Sequence, residues 1–302
     1  MKALTRHPVA QVALVLLLLS LVTLFTNLPL GRVTQIAIYV LYAAGIGLLI
    51  GYLGLVPFGG SVFFGLAGYA AALSMLHWFK GMNELVGVVF AVGFAVLLAL
   101  PVGALILRRK GLYFSLLTLA CAQICYEIAY KWTEFTGGEN GLQRVPRPVL
   151  ESAVAFHIFV VLVVLGGIAA LWRLAHSPLG RLFQAIRDNE QRAVSLGYEA
   201  DRYKLLAFVL SAALAGLAGA TKTVVLGFET LTDVYWAMSG LVILMTLIGG
   251  MGTLVGPVIG ALIVVMLENK VGDMGTWLTK ATGIEWFTRL GESVTIVIGL
   301  IF

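Results

Sequence analysis

The chain has 302 residues, 60% of them hydrophobic and 12% charged, with a formal net charge of +5. Soluble domains carry about 25% charged residues because their surface faces water, so a mean hydropathy of +0.98 excludes an ordinary water-soluble globule and calls for lipid as the outer solvent. Cys121 and Cys125 lie four apart in an apolar run, with no His or acidic residue placed to complete a metal site. They read as buried thiols, since a disulfide scaffold uses more cysteines.

A membrane span takes about 20 apolar residues, and runs free of Asp, Glu, Lys and Arg mark the candidates in chain order. Residues 8–31 follow Lys2 and Arg6 and resemble a signal peptide superficially. The run is too long for an h-region and no small-x-small site follows it, so it reads as an uncleaved first span. Residues 33–79 leave room for two spans, and 85–107 for one. Residues 111–126 are shorter and extend past Glu127. Residues 152–172 give another span, and 205–221 extend past Lys222. Residues 234–267 are either one very long helix or two short ones broken at Gly249-Gly250-Met251-Gly252. Residues 293–302 read as a final span cut short by the chain end. The expected fold is all-α: one polytopic membrane domain over residues 1–302, with about ten transmembrane helices (8–10).

Lys and Arg bias loops towards the cytoplasm. Residues 1–8, 108–110 (Arg108-Arg109-Lys110) and 173–204 hold eleven of the twenty basic residues, and ten spans put all three on one side. Within 173–204, Ser177 and Pro178 form a helix start. Leu179, Leu182, Phe183 and Ile186 then repeat at helical spacing, Arg181, Arg187 and Asp188 fall off that stripe, and Gly197 suits a stop. The residues alone leave two readings: a helix lying on the membrane surface, or a docking element for a cytoplasmic partner.

The opposite side carries Thr136-Gly137-Gly138-Glu139-Asn140-Gly141, rich in turn formers. No Gly-Lys-Ser/Thr sequence exists, so the usual ATP-binding loop is missing. No metal-ligand cluster or nucleophile–base pair stands out; His7, His77, His157 and His176 are scattered. Catalytic, cofactor and metal sites are therefore not expected. Two apolar stretches are broken alike by glycine and proline. One holds Gly51, Gly54, Pro57, Gly59 and Gly60; the other holds Gly249, Gly250, Gly252, Gly256 and Pro257. Similar breaks in two halves suggest an internal repeat and point to a substrate path. Close packing through small residues is the plainer account of any single glycine. Gln123 and Glu127 share a face near the outer end of a span. Glu127 is either an intramembrane functional carboxylate or the partner of Lys131 at i+4.

Four stretches resemble the branched-chain amino acid permeases of bacterial ABC importers, in particular the LivM-like subunit. They are residues 51–72 with Phe63-Phe64-Gly65 and Gly68-Tyr69; Gly111-Leu112-Tyr113-Phe114 through Leu119 followed by 136–142; 177–197 followed by Tyr203 to Phe208 and Ala215 to Ala220; and 249–257. The resemblance implies a multi-pass subunit of the bacterial inner membrane. It implies a second, usually different permease subunit, two cytoplasmic ATP-binding subunits and a periplasmic substrate-binding protein as partners, besides lipid and with no nucleic acid. It makes residues 181–197 the coupling loop, with Arg181, Ile186, Arg187, Asp188, Asn189, Glu190 and Gly197 as ATPase-coupling residues. The path residues are then Gly51, Gly54, Pro57, Gly59, Gly60, Gly249, Gly250 and Gly252, and the outer-loop residues Gly137, Gly138, Asn140 and Gly141. General importer permeases carry Glu-Ala-Ala with Gly four residues on; here Gln191-Arg192-Ala193 precedes Gly197, so spacing survives and identity does not. The family also continues past Phe302.

The implied cargo is leucine, isoleucine, valine or a related small amino acid or amide. The competing reading is an ion-coupled secondary transporter or channel, which normally places several ionisable groups mid-membrane, where this sequence offers almost none. A third is a non-transporting membrane anchor.

Overall fold

The computed structural model describes residues 8–25, 29–79, 82–147 and 152–282. These form α1 (Pro8–Phe25), α2 (Leu30–Gly47), α3 (Gly60–Leu73), α4 (Glu84–Ile106), α5 (Leu112–Lys131), the single turn α6 (Thr133–Thr136), α7 (Ala153–Ala175), α8 (Pro178–Asp188), α9 (Glu190–Ser195), α10 (Ala200–Leu226), α11 (Trp236–Gly249) and α12 (Gly256–Thr282). α2 runs on into a π-helical segment, Leu48–Leu53, and α3 into another, Ser74–Trp78.

Six described helices are long and apolar enough to cross a membrane: Leu30–Leu53, Gly60–Trp78, Glu84–Ile106, Leu112–Lys131, Ala153–Ala175 and Ala200–Leu226. Pro8–Leu21 and Trp236–Gly249 are apolar but shorter. The expected count of about ten is therefore not reached among the described residues, and the expected last span, 293–302, lies outside them. The run 234–267 divides at Gly250, whose φ of +100° ends α11 after 14 residues; α12 beyond it has 27. The run 33–79 does yield two spans, α2 and α3, separated by non-helical residues 54–59.

α2 is enclosed along its whole length, and α3 almost so. α10 crosses beside them and packs on α2, α3 and α4. Its inner face is a stripe of small residues: Ala212, Ala215, Gly216, Gly219 and Ala220 are all buried. Lipid is as apolar as leucine, so membrane helices associate through close packing rather than hydrophobic drive. Gly219 lies directly on the carbonyl of Phe64, with no room for a Cβ. Phe64 in turn stacks on Tyr42, ring centroids 4.6 Å apart. α4 and α5 are the outer helices. α4 turns Val89, Leu97 and Leu105 outward, each about 70% exposed, which suits contact with hydrocarbon.

The two ends of the bundle differ in charge. Lys110, just before α5, pairs with Glu190 of α9 at 2.9 Å, so Arg108-Arg109-Lys110 and α8–α9 share one end. Residues 136–142 follow α5, whose 20 residues cover about 30 Å. They meet the chain just after α10, where Leu142 and Glu229 exchange backbone bonds of 3.0 and 2.9 Å. The basic loops and the glycine-rich loop thus occupy opposite ends, as the charge pattern requires.

Candidate functional site

At the basic end, Ser177 Oγ accepts the Gly180 N–H and Pro178 occupies the first turn of α8. The stripe read from the sequence is the buried face: Phe183 and Ile186 are fully enclosed, and Leu182 packs against the core. Asn189 caps α9, its Oδ1 accepting the Arg192 N–H at 3.0 Å. Arg181, Asp188 and Gly197 are exposed. Glu190 is turned inward. One carboxylate oxygen lies 2.6 Å from Lys204 Nζ and 2.9 Å from Lys110 Nζ, and Lys204 is only 5% exposed. Partial burial pushes the Glu190 carboxyl up, but hydrogen bonds and charge from Lys204 and Lys110 outweigh it and hold it below the usual carboxylate range. Arg187 also reaches inward, donating from Nη1 to the Gly51 carbonyl at 2.5 Å. Beside these residues Val194, Leu196 and Tyr198 are exposed, an apolar patch on a polar loop of the kind that marks a protein contact.

The two glycine-broken segments meet at this end. A Cβ on Gly51 would stand 2.5 Å from the Gly252 nitrogen and 2.7 Å from its Cα. Gly54 closes the π segment at φ +69°. The non-helical stretch is held by α5: Ser115 Oγ donates to the Val56 carbonyl at 2.8 Å, and the Phe58 N–H donates to Thr118 Oγ1 at 3.1 Å. Irregular backbone at membrane depth needs such partners. Gly59 abuts the Thr118 carbonyl, Gly60 abuts Ile46 and Tyr42, and Gly249 abuts Gly256. Pro57, Gly59 and Gly60 border a cavity of about 10 Å³ with Thr118, Phe208 and Ser211, room for roughly one water. Of the predicted path residues, Gly51 and Gly252 are thus brought into contact across the two segments, while Gly54, Gly59, Gly60 and Gly249 pack closely on other neighbours.

α5 leaves a polar face open. Gln123 Nε2 donates to Glu127 Oε1 at 3.3 Å, and Lys131 lies 3.9 Å from Glu127. With Ile124, Ile128 and Trp132 these residues line an open groove of about 560 Å³. Charged groups facing hydrocarbon are costly, so this face calls for water or another protein.

At the far end the glycine-rich loop is a docked turn. Thr136 Oγ1 donates to the Ala129 carbonyl at 2.5 Å. Gly137 packs on Gly141, and Gly138 is buried on Thr133. The Asn140 carbonyl accepts from Gln143 at 2.9 Å, and Gly141 lies on the Glu229 carbonyl.

Sequence reasoning passes over a buried charge cluster here. Lys222 pairs with Asp233, Thr223 Oγ1 donates to Glu229, and Thr230 Oγ1 donates to Asp233 at 3.1 Å. Glu229 and Asp233 are each 1% exposed, and the Glu229 carboxyl fills the space a Cβ on Gly68 would need. The available signal was Lys222, lone in the apolar second half of α10, with two acids within eleven residues of it. Among the described residues no group of three or more His, Cys, Asp or Glu is placed to hold a metal ion.

Six described helices long and apolar enough to cross a membrane, with a charged loop folded against one end, suit a multi-pass membrane protein. The chain belongs to the permease component family of branched-chain amino acid transport systems, which matches residues 28–301. The high-affinity branched-chain amino acid transport system permease protein LivM of Salmonella typhimurium is 28% identical over 277 residues, 81% of this chain and 64% of the relative. LivM of Escherichia coli is 26% identical over 272 residues, with the same shares. The autoinducer 2 import system permease protein LsrC of Salmonella choleraesuis is 31% identical over 144 residues, 46% of this chain and 40% of the relative. The chain spans 64% of the length of the LivM relatives. No solved structure matches it.

Proposed function

We propose that this chain is the permease subunit of an ATP-driven importer that moves branched-chain amino acids, or related small amino acids or amides, across a bacterial inner membrane. The observation that carries the reading is the placement of α8 and α9. This amphipathic pair is anchored on the broken end of α2, which itself abuts the α11–α12 turn at Gly252, and still presents Arg181, Asp188, Val194 and Leu196 outward. A surface of that composition fits a cytoplasmic ATPase subunit. Closure of two such subunits on ATP would displace α8 and α9, and the Gly51–Gly252 contact beneath would open. A zwitterionic solute cannot cross hydrocarbon cheaply, so the open α5 face, with Gln123 and Glu127, would border the passage against a second permease subunit. A periplasmic binding protein would deliver the cargo. Autoinducer 2 import among the relatives means that family membership alone leaves the cargo open, and the LivM likeness is what favours branched-chain amino acids.

One observation favours an ion-coupled transporter instead: the buried Lys222–Asp233–Glu229 cluster. Reconstitution separates the two. The chain with its second permease, ATPases and binding protein in proteoliposomes should take up leucine only with ATP; uptake driven by an ion gradient, by this chain alone and without ATP, would refute the proposal. A mere membrane anchor predicts that Arg187→Glu leaves uptake untouched.

A further inference from the structure

We infer that Arg187 is a positioning residue that works inside the permease: it latches α8 to the broken end of α2 and, through Gly51, to the α11–α12 turn. The inference rests on the importer reading above. It assigns Arg187 a role different from contact with an ATPase.

A helix end leaves its last carbonyls without intrahelical partners. Near the end of the π segment three carbonyls have identified partners. The Leu55 N–H returns to the Leu49 carbonyl at 3.0 Å, and the Gly54 N–H to the Ile50 carbonyl at 3.2 Å. The Gly51 carbonyl is taken by Arg187 Nη1 at 2.5 Å. The side chain is a cation placed where the helix dipole is negative, and a charge-assisted bond is about twice as strong as a neutral one.

The guanidinium is held in register from behind. Its Nε and Nη2 both donate to Asp188 Oδ1 at 3.2 Å. Its stem lies along the chain at Gly54, where a Cβ would meet Arg187 Cγ at 3.1 Å. Asp188 therefore orients Arg187, and the fork spans from the solvent face of α8 to the buried backbone of α2. Lysine, a point charge with no fork, cannot hold both ends at once.

Gly51 is also where α2 touches Gly252, backbone to backbone. The contact is van der Waals, so a movement of Gly51 towards Gly252 is passed to the α11–α12 turn with no intervening side chain to absorb it. α8 itself packs on the π segment, and its Phe183 and Ile186 belong to the same buried core as that segment. Apolar packing resists compression but slides; the hydrogen bond supplies the tension. A displacement of α8 that carries Gly51 towards Gly252 thus moves both backbones together, and the link needs an arginine at 187 and no side chain at 51.

The test compares wild type, Arg187→Ala and Arg187→Lys in the assembled transporter in proteoliposomes. ATP hydrolysis, ATPase retention on pull-down, thermal unfolding and leucine uptake are each measured. The latch predicts retained ATPase and continued hydrolysis. It predicts that uptake per ATP falls about tenfold in Arg187→Ala, the scale of losing a charge-assisted hydrogen bond, and falls in Arg187→Lys although charge is kept. Loss of the ATPase from Arg187→Ala would mean that Arg187 is an ATPase contact and overturn the latch. Unchanged uptake per ATP in both variants would overturn it as well. A wild-type complex that moves no solute with ATP would instead overturn the importer reading. In that case the latch stands or falls on a double-mutant cycle of thermal stability between Arg187→Lys and Asp188→Asn, where additivity sinks it.

Discussion

Replacing Glu190 by Gln changes almost no volume but removes the one carboxylate that faces Lys204. The Lys204 ammonium lies 2.6 Å from it and is 5% exposed, whereas Lys110, 2.9 Å away, has a side chain 70% exposed and loses little. Removing one partner of a buried pair costs about 3–5 kcal/mol, because the other charge is left uncompensated. The Glu190 side chain is itself 25% exposed, so water reaches the pair. Solvent screening brings the figure to about 1–3 kcal/mol. Lys204 also sits near the start of α10, where the helix dipole disfavours a cation, and the carboxylate offsets that. At about 2 °C per kcal/mol for a chain of this size, Glu190→Gln should lower the midpoint of thermal unfolding in detergent by about 2–6 °C at pH 7.

The double variant Glu190→Gln with Lys204→Met removes both charges and should regain most of the loss. Acid supplies a second check. Glu190 is held below the usual carboxylate range by its two lysines, so its stabilisation is complete above the unfolded-chain value of about 4.3 and is lost as pH falls through the folded-state value. The gap between wild type and Glu190→Gln should therefore be widest near pH 7 and close below about pH 4. A single variant as stable as wild type, or a double variant no better than the single, would refute the reasoning.

Three further outcomes are expected. Gly219→Ala drives a methyl into the Phe64 carbonyl and must part α3 from α10, costing about 1–3 kcal/mol, read as a lower unfolding midpoint and lower yield of folded protein. Thr34→Val removes the 2.9 Å bond to His157 Nδ1 and strands a buried ring, a loss of about 1–3 kcal/mol; the same midpoint measurement checks it, and His157→Leu in that background should recover part. Glu127→Gln leaves the midpoint within about 1 °C, since an exposed pair contributes little, but lowers leucine uptake by the assembled transporter if the α5 face borders the passage.

Much of this fold is written in apolar runs, because lipid tolerates no other outside. Of the stripe Leu179, Leu182, Phe183 and Ile186, the last two are buried and Leu182 packs against the core, while Leu179 is half-buried, since one helical period decides most of the face. The break at Gly249–Gly252 was visible too, because no helix runs easily through consecutive glycines. What the sequence could not show is partnership across distance. That Gly51 meets Gly252 depends on how α2 and α11 lie side by side, and no local pattern encodes it. Arg187 and Glu190 read as charges free to face a partner, because a helical wheel does not reveal that a long side chain can bend back to a carbonyl or a lysine. The count of about ten spans is not confirmed among the described residues, where six helices are long and apolar enough to cross; an apolar run measures solvent preference and does not by itself fix helix length.

The same blindness to distance hid the cluster of Lys222, Asp233 and Glu229, and its charge balance bears on how the protein is powered. Two carboxylates and one ammonium would leave a net negative charge buried, which is costly. Glu229 lies in the loop after α10; burial pushes its carboxyl well above the usual range, Asp233 adds to that, and the opposing pull of Lys222 and Thr223 does not cancel it. That direction favours the protonated acid, and a neutral Glu229 would leave the cluster balanced as one cation and one anion. A raised value means the folded state is penalised only as pH climbs through it. On that account Glu229 is a structural acid, filling the space above Gly68. Gln, which copies the shape of the protonated form, should be nearly silent at that position: unfolding within about 1 kcal/mol of wild type and ATP-dependent leucine uptake retained. An ion-coupled carrier that used this proton would lose its coupling in Glu229→Gln, so uptake abolished at unchanged stability would undo both the charge balance and the case for ATP as the driving force.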